Sequence, residues 1–425
     1  MPQRSPQRPN IALLVIDCGR PDHFSGYGYY RQTTPFMDGL AARGRLYRNA
    51  FSVATSTPLS HFALMSGQAD WGGRAWLQDA DANARFLYYA RRALRLLGLT
   101  NYVGGYDHAR HSLLALLNRA GYRSFGISAN PLITPEAMRP YQGFDHYLND
   151  ELFAGMDSPE VKKQIKAHKL ADTTANRNAV HLSADRVFDI AWNHIESAAL
   201  EAGAPFFLFA NLMDCHDPYL VHPSLEEDFG FKPTSSFNGD LRNRLSAKEP
   251  ASQRTSAWTD TSDLNPADID LLRWNYDRCL RFIDDQVAHF SQRLADSGAL
   301  GDTVFIILAD HSELLGEGGR FTHSMPEREE LLHIPLILAG PGLPPGDFGH
   351  PVSITDIRPT ILDLLGLRDP FSHRSGRSLL GSQQANRAAV PTQTKQAELG
   401  LERKGLSAQE EALLEQRLRD LGYLE

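Results

Sequence analysis

Three short apolar runs, each followed by an aspartate, constrain the fold of this chain more than any other feature of its sequence. The runs and the aspartates that follow them are residues 11–16 with Asp17, residues 205–213 with Asp214, and residues 303–309 with Asp310. Each run is almost wholly apolar and as short as a typical strand, which indicates a strand buried on both faces of a parallel sheet. The sequence therefore predicts an α/β fold, with a doubly wound, mostly parallel sheet flanked by helices.

The segments between these runs agree with that prediction. A fourth apolar run at residues 333–338 predicts a further strand, and another strand is predicted at residues 124–128, shortly before Asn130. Apolar residues recur at helical spacing in the remaining segments, which predicts helices. The predicted helices cover residues 36–44, 57–67, 111–120, 181–203 and 266–297.

The polar residues at the strand ends form a candidate metal site. In open α/β sheets, ligands bind at the carboxyl ends of the strands. Such ends are followed by Asp17, by Asp214 with His216, and by Asp310 with His311. Carboxylates, an imidazole and a hydroxyl suit a hard or borderline divalent cation, such as Ca²⁺, Mg²⁺, Mn²⁺ or Zn²⁺. Each residue alone is more often an ordinary polar group at a strand end, but their joint position favours a site.

A hydroxyl-rich segment, Thr55-Ser56-Thr57, precedes Pro58 and an apolar helix that ends at Gly67. Ser or Thr before Pro is a common helix start, where a hydroxyl can cap free N–H groups. A helix start also attracts anions, because its free N–H groups and its dipole point at them. The segment is therefore either a simple cap or the place where a hydroxyl meets an anionic substrate.

Composition excludes several classes of protein. The chain has 425 residues, of which 42% are hydrophobic and 22% are charged, and its formal net charge is −8. This balance does not predict a nucleic-acid surface, and no apolar segment reaches the length of a membrane span. The three cysteines, Cys18, Cys215 and Cys279, give no disulfide framework and are typical of a reducing compartment. We therefore expect a cytoplasmic protein.

Changes in composition along the chain predict two domains. Residues 1–345 form the predicted catalytic domain, with an insert at about 71–110 and a lid-like loop at about 223–265. The insert contains a basic, aromatic helix at residues 85–97 that either packs over the core or lies at an interface. Residues 346–425 form a predicted small C-terminal subdomain. Its terminal helix packs on this subdomain or forms a homodimer contact.

Several sequence blocks resemble, in order, those of the sulfatases, and more broadly those of the alkaline phosphatase superfamily. These blocks are residues 10–23, 26–28, 33–41, 57–67, 120–123, 213–219, 310–317, 334–340, 352–360 and 418–424. Single blocks are weak to moderate signals, but their order along nearly the whole chain is a strong one. The resemblance implies an alkaline-phosphatase-like fold and a metal-dependent hydrolase of sulfate or phosphate esters.

The resemblance also implies a metal centre and a nucleophile. Asp17, Asp310 and His311 match the metal ligands of the family. Thr57 falls on the nucleophile position, counted back from Gly67, and is implied to bind the metal as well. We expect one divalent metal ion per chain, either Mn²⁺, Zn²⁺ or Ca²⁺.

Four further residues are assigned around the ester by the same resemblance. His61 lies where many family members have an arginine that steadies the nucleophile. His216, which opens a His-Asp-Pro-Tyr block, matches the histidine that faces the ester and its leaving group. His323 lies near a substrate-contacting histidine of the family, and Asn130 is expected to bind substrate. The implied substrate is a small anionic ester.

Two residues depart from the family pattern. Thr57 replaces the cysteine or serine that sulfatases oxidise to formylglycine, and threonine cannot be oxidised in this way. Threonine at this position is known in superfamily members that cleave or transfer phosphoesters. Cys18 replaces a carboxylate or amide of the calcium sulfatases. A thiol is a poor ligand for Ca²⁺ and an acceptable one for Zn²⁺ or Mn²⁺, but Cys18 is as easily a packed side chain.

The sequence leaves four functions open. The leading interpretation is a hydrolase, and a transferase that hands the group to an acceptor alcohol uses the same residues. A two-metal phosphodiesterase, with Asp214, His216 and His323 around a second ion, is a variant of it. A non-catalytic, sulfatase-like binding protein is the alternative. Thr57, Cys18 and the insert at 71–110 favour it, and the joint presence of Asp17, Asp310, His311 and His216 opposes it.

Overall fold

The predicted strands form the centre of one large sheet in a computed structural model of the chain. The structure describes residues 8–69, 112–130, 132–135, 138–148, 152–155, 157–167, 177, 182–217, 219–222, 224–230, 259–260, 266–323, 328–369 and 376–381. The strands are β1 (Asn10–Ile16), β2 (Arg45–Tyr47), β3 (Ala50–Phe51), β4 (Arg123–Ser128), β5 (His146–Tyr147), β6 (Phe206–Leu212), β7 (Thr259–Asp260), β8 (Thr303–Ala309), β9 (Leu314–Leu315), β10 (Arg320–Thr322), β11 (His333–Ile334), β12 (Leu336–Ala339), β13 (Gly346–Phe348) and β14 (Val352–Ser353).

Eight of these strands form a mostly parallel sheet in the order β13-β2-β12-β8-β1-β6-β4-β5. Strand β12 runs antiparallel to β2 and β8, whereas the other neighbouring pairs of this sheet are parallel. The predicted strand at residues 333–338 is divided at Pro335, and its first half, β11, pairs with β3 in a separate sheet. Proline has no N–H for a continuous ladder. The predicted α/β fold with a mostly parallel sheet is confirmed.

Helices cover both faces of this sheet. They are α1 (Pro35–Arg43), α2 (Thr57–Ser66), α3 (Leu113–Arg119), α4 (Pro159–Ala167), α5 (Ala184–Ile195), α6 (Pro266–Asp296), α7 (Glu329–Leu332) and α8 (Ile357–Leu364). Successive side chains of a strand point to opposite faces. Leu14 of β1 therefore packs in one core with α1, α5 and α6, whereas Leu13 packs in the other core with α2, α3 and α8.

The register of the central strands brings their carboxyl ends to one edge. Ile16 of β1 lies opposite Leu212 of β6 and Ala309 of β8. The residues that follow these strands, Asp17 and Asp310 among them, therefore leave the sheet at the same level. All residues of these three strands are buried, as their largely apolar sequences predict.

The described part of the C-terminal region shares the core of the catalytic domain. Strand β13 pairs with β2 in the main sheet, and α8 packs on the same side of it as α2. The boundary at residue 345 stays a prediction for the rest of that subdomain. The insert at 71–110, most of the loop at 223–265 and the terminal helix lie outside the described residues. Among the described helices, none is long and apolar enough to cross a membrane.

Candidate active site at the carboxyl edge of the sheet

Thr57 begins α2, with its hydroxyl inside a group of polar side chains. Pro58 follows it and suits the first helical turn. The N-cap residue is Ser56, whose side chain makes no capping hydrogen bond. The Thr57 side chain is almost buried, and Oγ1 lies 3.2 Å from Nε2 of His311 and 3.4 Å from Nδ2 of Asn130. The geometry therefore places this hydroxyl among site residues rather than in a cap.

Asp17 follows β1 and is held by two amides. Its Oδ2 accepts a hydrogen bond from Nδ2 of Asn130 at 3.0 Å and another from Nδ2 of Asn211 at 3.4 Å. Because Asp17 is completely buried, these donors offset part of the cost of removing its charge from water. Asn211 is not among the site residues predicted from the sequence. The sequence feature that could have indicated it is the presence of a polar amide within the otherwise apolar run at 205–213.

Asp310 follows β8 and lies between two histidines. Its Oδ1 accepts a hydrogen bond from the backbone N–H of His311 at 2.9 Å. Its Oδ2 lies 3.4 Å from Nε2 of His311 and 3.5 Å from Nε2 of His61, without a hydrogen bond of normal geometry. Burial alone raises the pKa of Asp310, but His311 and His61 outweigh burial and hold that pKa well below its usual range. Asp310 is therefore an anion whose Oδ2 is available to a cation.

His311 presents one ring nitrogen to the predicted metal ligands. Its Nε2 lies 3.2 Å from Oγ1 of Thr57, 3.4 Å from Oδ2 of Asp310 and 4.0 Å from Oδ1 of Asp17. Its Nδ1 lies 3.1 Å from the carbonyl oxygen of Ser312. A neutral imidazole that donates from Nδ1 to this oxygen keeps a lone pair on Nε2. The four predicted ligands thus converge, and their donor set fits a hard or borderline divalent cation.

His61 lies on α2, one turn after Thr57, and is completely buried. Its Nδ1 lies 2.6 Å from the hydroxyl of Tyr141, and its Nε2 faces Oδ2 of Asp310. The structure therefore places His61 against a predicted metal ligand. The polar contacts of His61 thus run to Tyr141 and Asp310 rather than to the Thr57 hydroxyl.

His216 and His323 lie beside the metal ligands. The ring centroids of His216 and His323 are 5.0 Å apart, and those of His323 and His311 are 4.5 Å apart. Burial lowers the pKa of His216, but Asp17 and Glu313 outweigh burial and raise that pKa above its ordinary value. Burial and the neighbouring His311 lower the pKa of His323. His216 is thus the histidine of this pair that is better suited to carry a proton.

Two residues that were not assigned a role from the sequence complete the group. Cys18 has φ +62°, a left-handed conformation that residues other than glycine seldom adopt, and its Sγ lies 3.4 Å from Nδ1 of His323. Glu313 is completely buried, and neither of its carboxylate oxygens makes a hydrogen bond of normal geometry. Its position three residues after Asp310 is the sequence feature that could have indicated a role for Glu313 in the site. The sequence alone, however, does not show that this glutamate is buried.

The fold is similar to that of solved structures in the alkaline phosphatase superfamily. The phosphonate monoester hydrolase of Agrobacterium radiobacter superimposes with a TM-score of 0.58 at 20% sequence identity, over 88% of this chain and 76% of that chain. At this identity the similarity shows a common α/β fold. The catalytic class of the chain is shown by its sequence relatives.

Residues 9–367 match the family model described as Sulfatase, and the chain belongs to the sulfatase family. It is 26% identical over 376 residues to a choline-sulfatase of Rhizobium meliloti (strain 1021), which covers 85% of this chain and 68% of the relative. It is 24% identical over 407 residues to arylsulfatase K of Homo sapiens, which covers 89% of this chain and 67% of the relative. The chain is thus an enzyme that hydrolyses sulfuric or phosphoric esters, and enzymes of this superfamily generally bind a divalent metal ion.

Proposed function

We propose that this chain is a metal-dependent hydrolase of small anionic sulfate or phosphate esters, with Thr57 as its nucleophile. The observation that carries the proposal is the position of the Thr57 hydroxyl, 3.2 Å from Nε2 of His311 and next to Asp17 and Asp310. Because threonine cannot become formylglycine, attack on sulfur or phosphorus comes from this hydroxyl itself.

The buried polar atoms around Thr57 fit a divalent cation. Asp17, Asp310, His311 and Thr57 would hold it, and Oδ2 of Asp310 has no other hydrogen-bond partner. The cation would lower the pKa of the Thr57 hydroxyl and offset negative charge in the transition state. Asn130 donates from Nδ2 to both Asp17 and Thr57, and so fixes the orientation of the attacking oxygen.

The reaction proceeds through a covalent ester of Thr57. The Thr57 hydroxyl loses its proton to solvent, and its oxygen forms a bond to sulfur or phosphorus as the bond from that atom to the leaving oxygen breaks. His216, whose pKa is raised above its ordinary value, donates its proton to the leaving oxygen. Water then cleaves the Thr57 ester, which restores the hydroxyl and releases sulfate or phosphate. The proton that the released sulfate or phosphate gives up in this step returns to His216.

Turnover of nitrophenyl sulfate, nitrophenyl phosphate and a nitrophenyl phosphate diester, each with Mn²⁺, Zn²⁺ or Ca²⁺, tests this proposal. We expect Thr57→Ala to lower kcat/KM by at least ~10³-fold, because it removes the nucleophile. Ser56→Ala is the matched control and should change kcat/KM little, since the Ser56 side chain makes no capping hydrogen bond. Full activity of folded Thr57→Ala, or no turnover with any metal, overturns the proposal.

The same assay separates hydrolysis from group transfer. In the presence of a primary alcohol, a hydrolase releases inorganic sulfate or phosphate in the same amount as nitrophenol. A transferase instead releases more nitrophenol than inorganic anion and forms the new ester of the alcohol.

A further inference from the structure

A second group of metal-ligating side chains lies beside the other ring nitrogen of His311. We call Cys18, His216, His323 and Glu313 the Cys18 cluster. The thiol of Cys18 lies 3.9 Å from Nδ1 of His311, whereas Nε2 of the same ring faces Thr57. The possible ligand atoms of Cys18, His216 and His323 lie within 4.8 Å of one another. Those of Asp17, Cys18 and His311 do so as well, and the Cys18 thiol donates to Oδ1 of Asp17 at 3.4 Å, so Cys18 lies between the two groups.

The separations in the Cys18 cluster match those around a single ion. In a tetrahedral zinc site, Zn–S bonds of about 2.3 Å and Zn–N bonds of about 2.0 Å place sulfur and nitrogen roughly 3.5 Å apart. Sγ of Cys18 lies 3.4 Å from Nδ1 of His323. The ring of His216 is 5.0 Å from that of His323, nearly perpendicular to it. The separation of Cys18 and His323 is thus that of two ligands of one ion, and the ligand atom of His216 lies within 4.8 Å of both.

Glu313 supplies an independent indication of a bound cation. Its side chain is completely buried, and neither oxygen has a hydrogen bond of normal geometry. Oε1 lies 3.4 Å from Nδ1 of His323, the same nitrogen that faces Cys18. A buried carboxylate without hydrogen bonds is costly, and a neighbouring cation removes that cost. Together, the carboxylate and a thiolate carry the charge that balances a divalent ion.

The backbone holds Cys18 in place at the cost of strain. Its left-handed conformation is one that glycine or asparagine adopts more readily. The Tyr276 hydroxyl donates to the carbonyl oxygen of Cys18 at 2.8 Å and accepts from the backbone N–H of Arg20 at 2.8 Å. Strained backbone of this kind concentrates at functional sites. The strain thus indicates that the direction in which the Cys18 side chain points matters for the function of the site.

We propose that Cys18, His216 and His323 bind a second divalent cation of the zinc class, with Glu313 balancing its charge. Thiolate and imidazole ligands favour such an ion over Ca²⁺ or Mg²⁺. Binding converts the Cys18 thiol to a thiolate, and its proton passes to solvent. Asp214, which the sequence suggested for a second ion, is not among these grouped ligand atoms, and its Oδ1 accepts a hydrogen bond from the Ala184 N–H at 3.3 Å.

This inference rests on the Thr57 ester chemistry of the proposed function and replaces one step of it, since a His216 that binds a cation does not donate a proton to the leaving oxygen. A cation held by His216 replaces protonated His216 as the positive charge beside the leaving oxygen. Two-metal sites act in this way in many phosphoryl-transfer enzymes, where one ion serves the attacking oxygen and the other the leaving oxygen.

Metal analysis and cobalt spectroscopy of the full-length protein test the inference. The protein is stripped with chelator, equilibrated with Zn²⁺ or Co²⁺, desalted and analysed for metal per chain. We expect two ions and a cobalt–thiolate charge-transfer band in the near ultraviolet. Cys18→Ser and His323→Gln should each retain one ion, and Cys18→Ser should lack the band. Asp310→Asn should also retain one ion but keep the band. Cys279→Ser, at a buried cysteine on α6, is the matched control with two ions and the band.

Each other outcome has a defined meaning. One ion without a thiolate band overturns this inference and leaves the single-metal proposal standing. Loss of the band in both Cys18→Ser and Asp310→Asn assigns Cys18 to the first site, which also overturns it. Absence of any bound ion overturns both proposals. Circular dichroism of each variant establishes that it is folded, and His323→Gln provides the metal count if Cys18→Ser does not fold.

Discussion

Replacing Tyr141 with phenylalanine tests whether His61 positions Asp310. The Tyr141 hydroxyl lies 2.6 Å from Nδ1 of His61, and Nε2 of the same ring lies 3.5 Å from Oδ2 of Asp310. When the hydroxyl donates to Nδ1, the ring proton is on Nε2 and faces the carboxylate. The Tyr141→Phe change leaves Nδ1 buried without a partner, so the ring is no longer held in this tautomer.

The expected effect follows from these contacts. A buried nitrogen left without its hydrogen bond costs about 1–3 kcal/mol of stability. The ring of Tyr141 packs on Phe209 with 5.0 Å between the ring centroids. A phenylalanine at position 141 keeps this contact. Mutation of a side chain that orients a metal ligand typically lowers metal affinity or activity by ~10–100-fold. We therefore expect a loss of about 1–3 kcal/mol in the free energy of unfolding and a ~10–100-fold rise in the metal concentration that gives half-maximal activity.

Denaturant unfolding and titration of activity with Mn²⁺ or Zn²⁺ measure the two effects. Tyr122→Phe is a matched control, because the Tyr122 hydroxyl is also buried and donates to the carbonyl oxygen of Pro9 at 2.6 Å. The control should lose stability without a change in metal dependence. If both variants show the same metal dependence as the unmodified protein, His61 does not act on Asp310 and the reasoning is wrong.

Two further variants test the framework around the site. Burial raises the pKa of Asp284 to about 7 from an ordinary value of 3.8, so the folded chain binds more protons than the unfolded chain between these values. Asp284 should therefore contribute stability that is lost as pH rises from 4 to 7, by at most about 4 kcal/mol, and Asp284→Asn should remove this contribution from the pH dependence measured in denaturant titrations; an unchanged pH dependence contradicts the assignment. Gly67 ends α2 at φ +72°, and an added Cβ would lie 3.2 Å from Cδ of Arg358. Gly67→Ala should cost about 1–2 kcal/mol in the same assay, whereas Gly301→Ala, which has open space around it, should be neutral; equal effects would refute the argument.

The fold is largely readable from the sequence because one pattern determines it. The largely apolar runs that become β1, β6 and β8 require burial on both faces, and that requirement implies a parallel sheet with helices on each side. The division of residues 333–338 at Pro335 was not predicted. Both halves are apolar, and which sheet each half joins depends on partners such as β3 and β8 that lie far away in sequence.

The site is less readable, because its pairings join distant parts of the chain. Strand ends and family spacing indicate Asp17 and Asp310 separately, but the contact of His61 with Tyr141 spans 80 residues and has no local signal. The sequence left Cys18 as either a ligand or a packed side chain, and its left-handed backbone and the contact with His323 are properties of the folded chain. Such residues become candidates when burial and neighbours are known.

The charges buried at the site limit how it can accept an anionic ester. Asp17, Asp310 and Glu313 are completely buried, and their carboxylates repel a sulfate or phosphate group. One divalent ion offsets two of these three negative charges, and a protonated His216 offsets the third. A second ion with the thiolate of Cys18 reaches the same balance, but His216 is then a neutral ligand and not an acid. The two arrangements exclude each other, so comparing the metal counts of the unmodified protein and Cys18→Ser also decides whether His216 donates the proton.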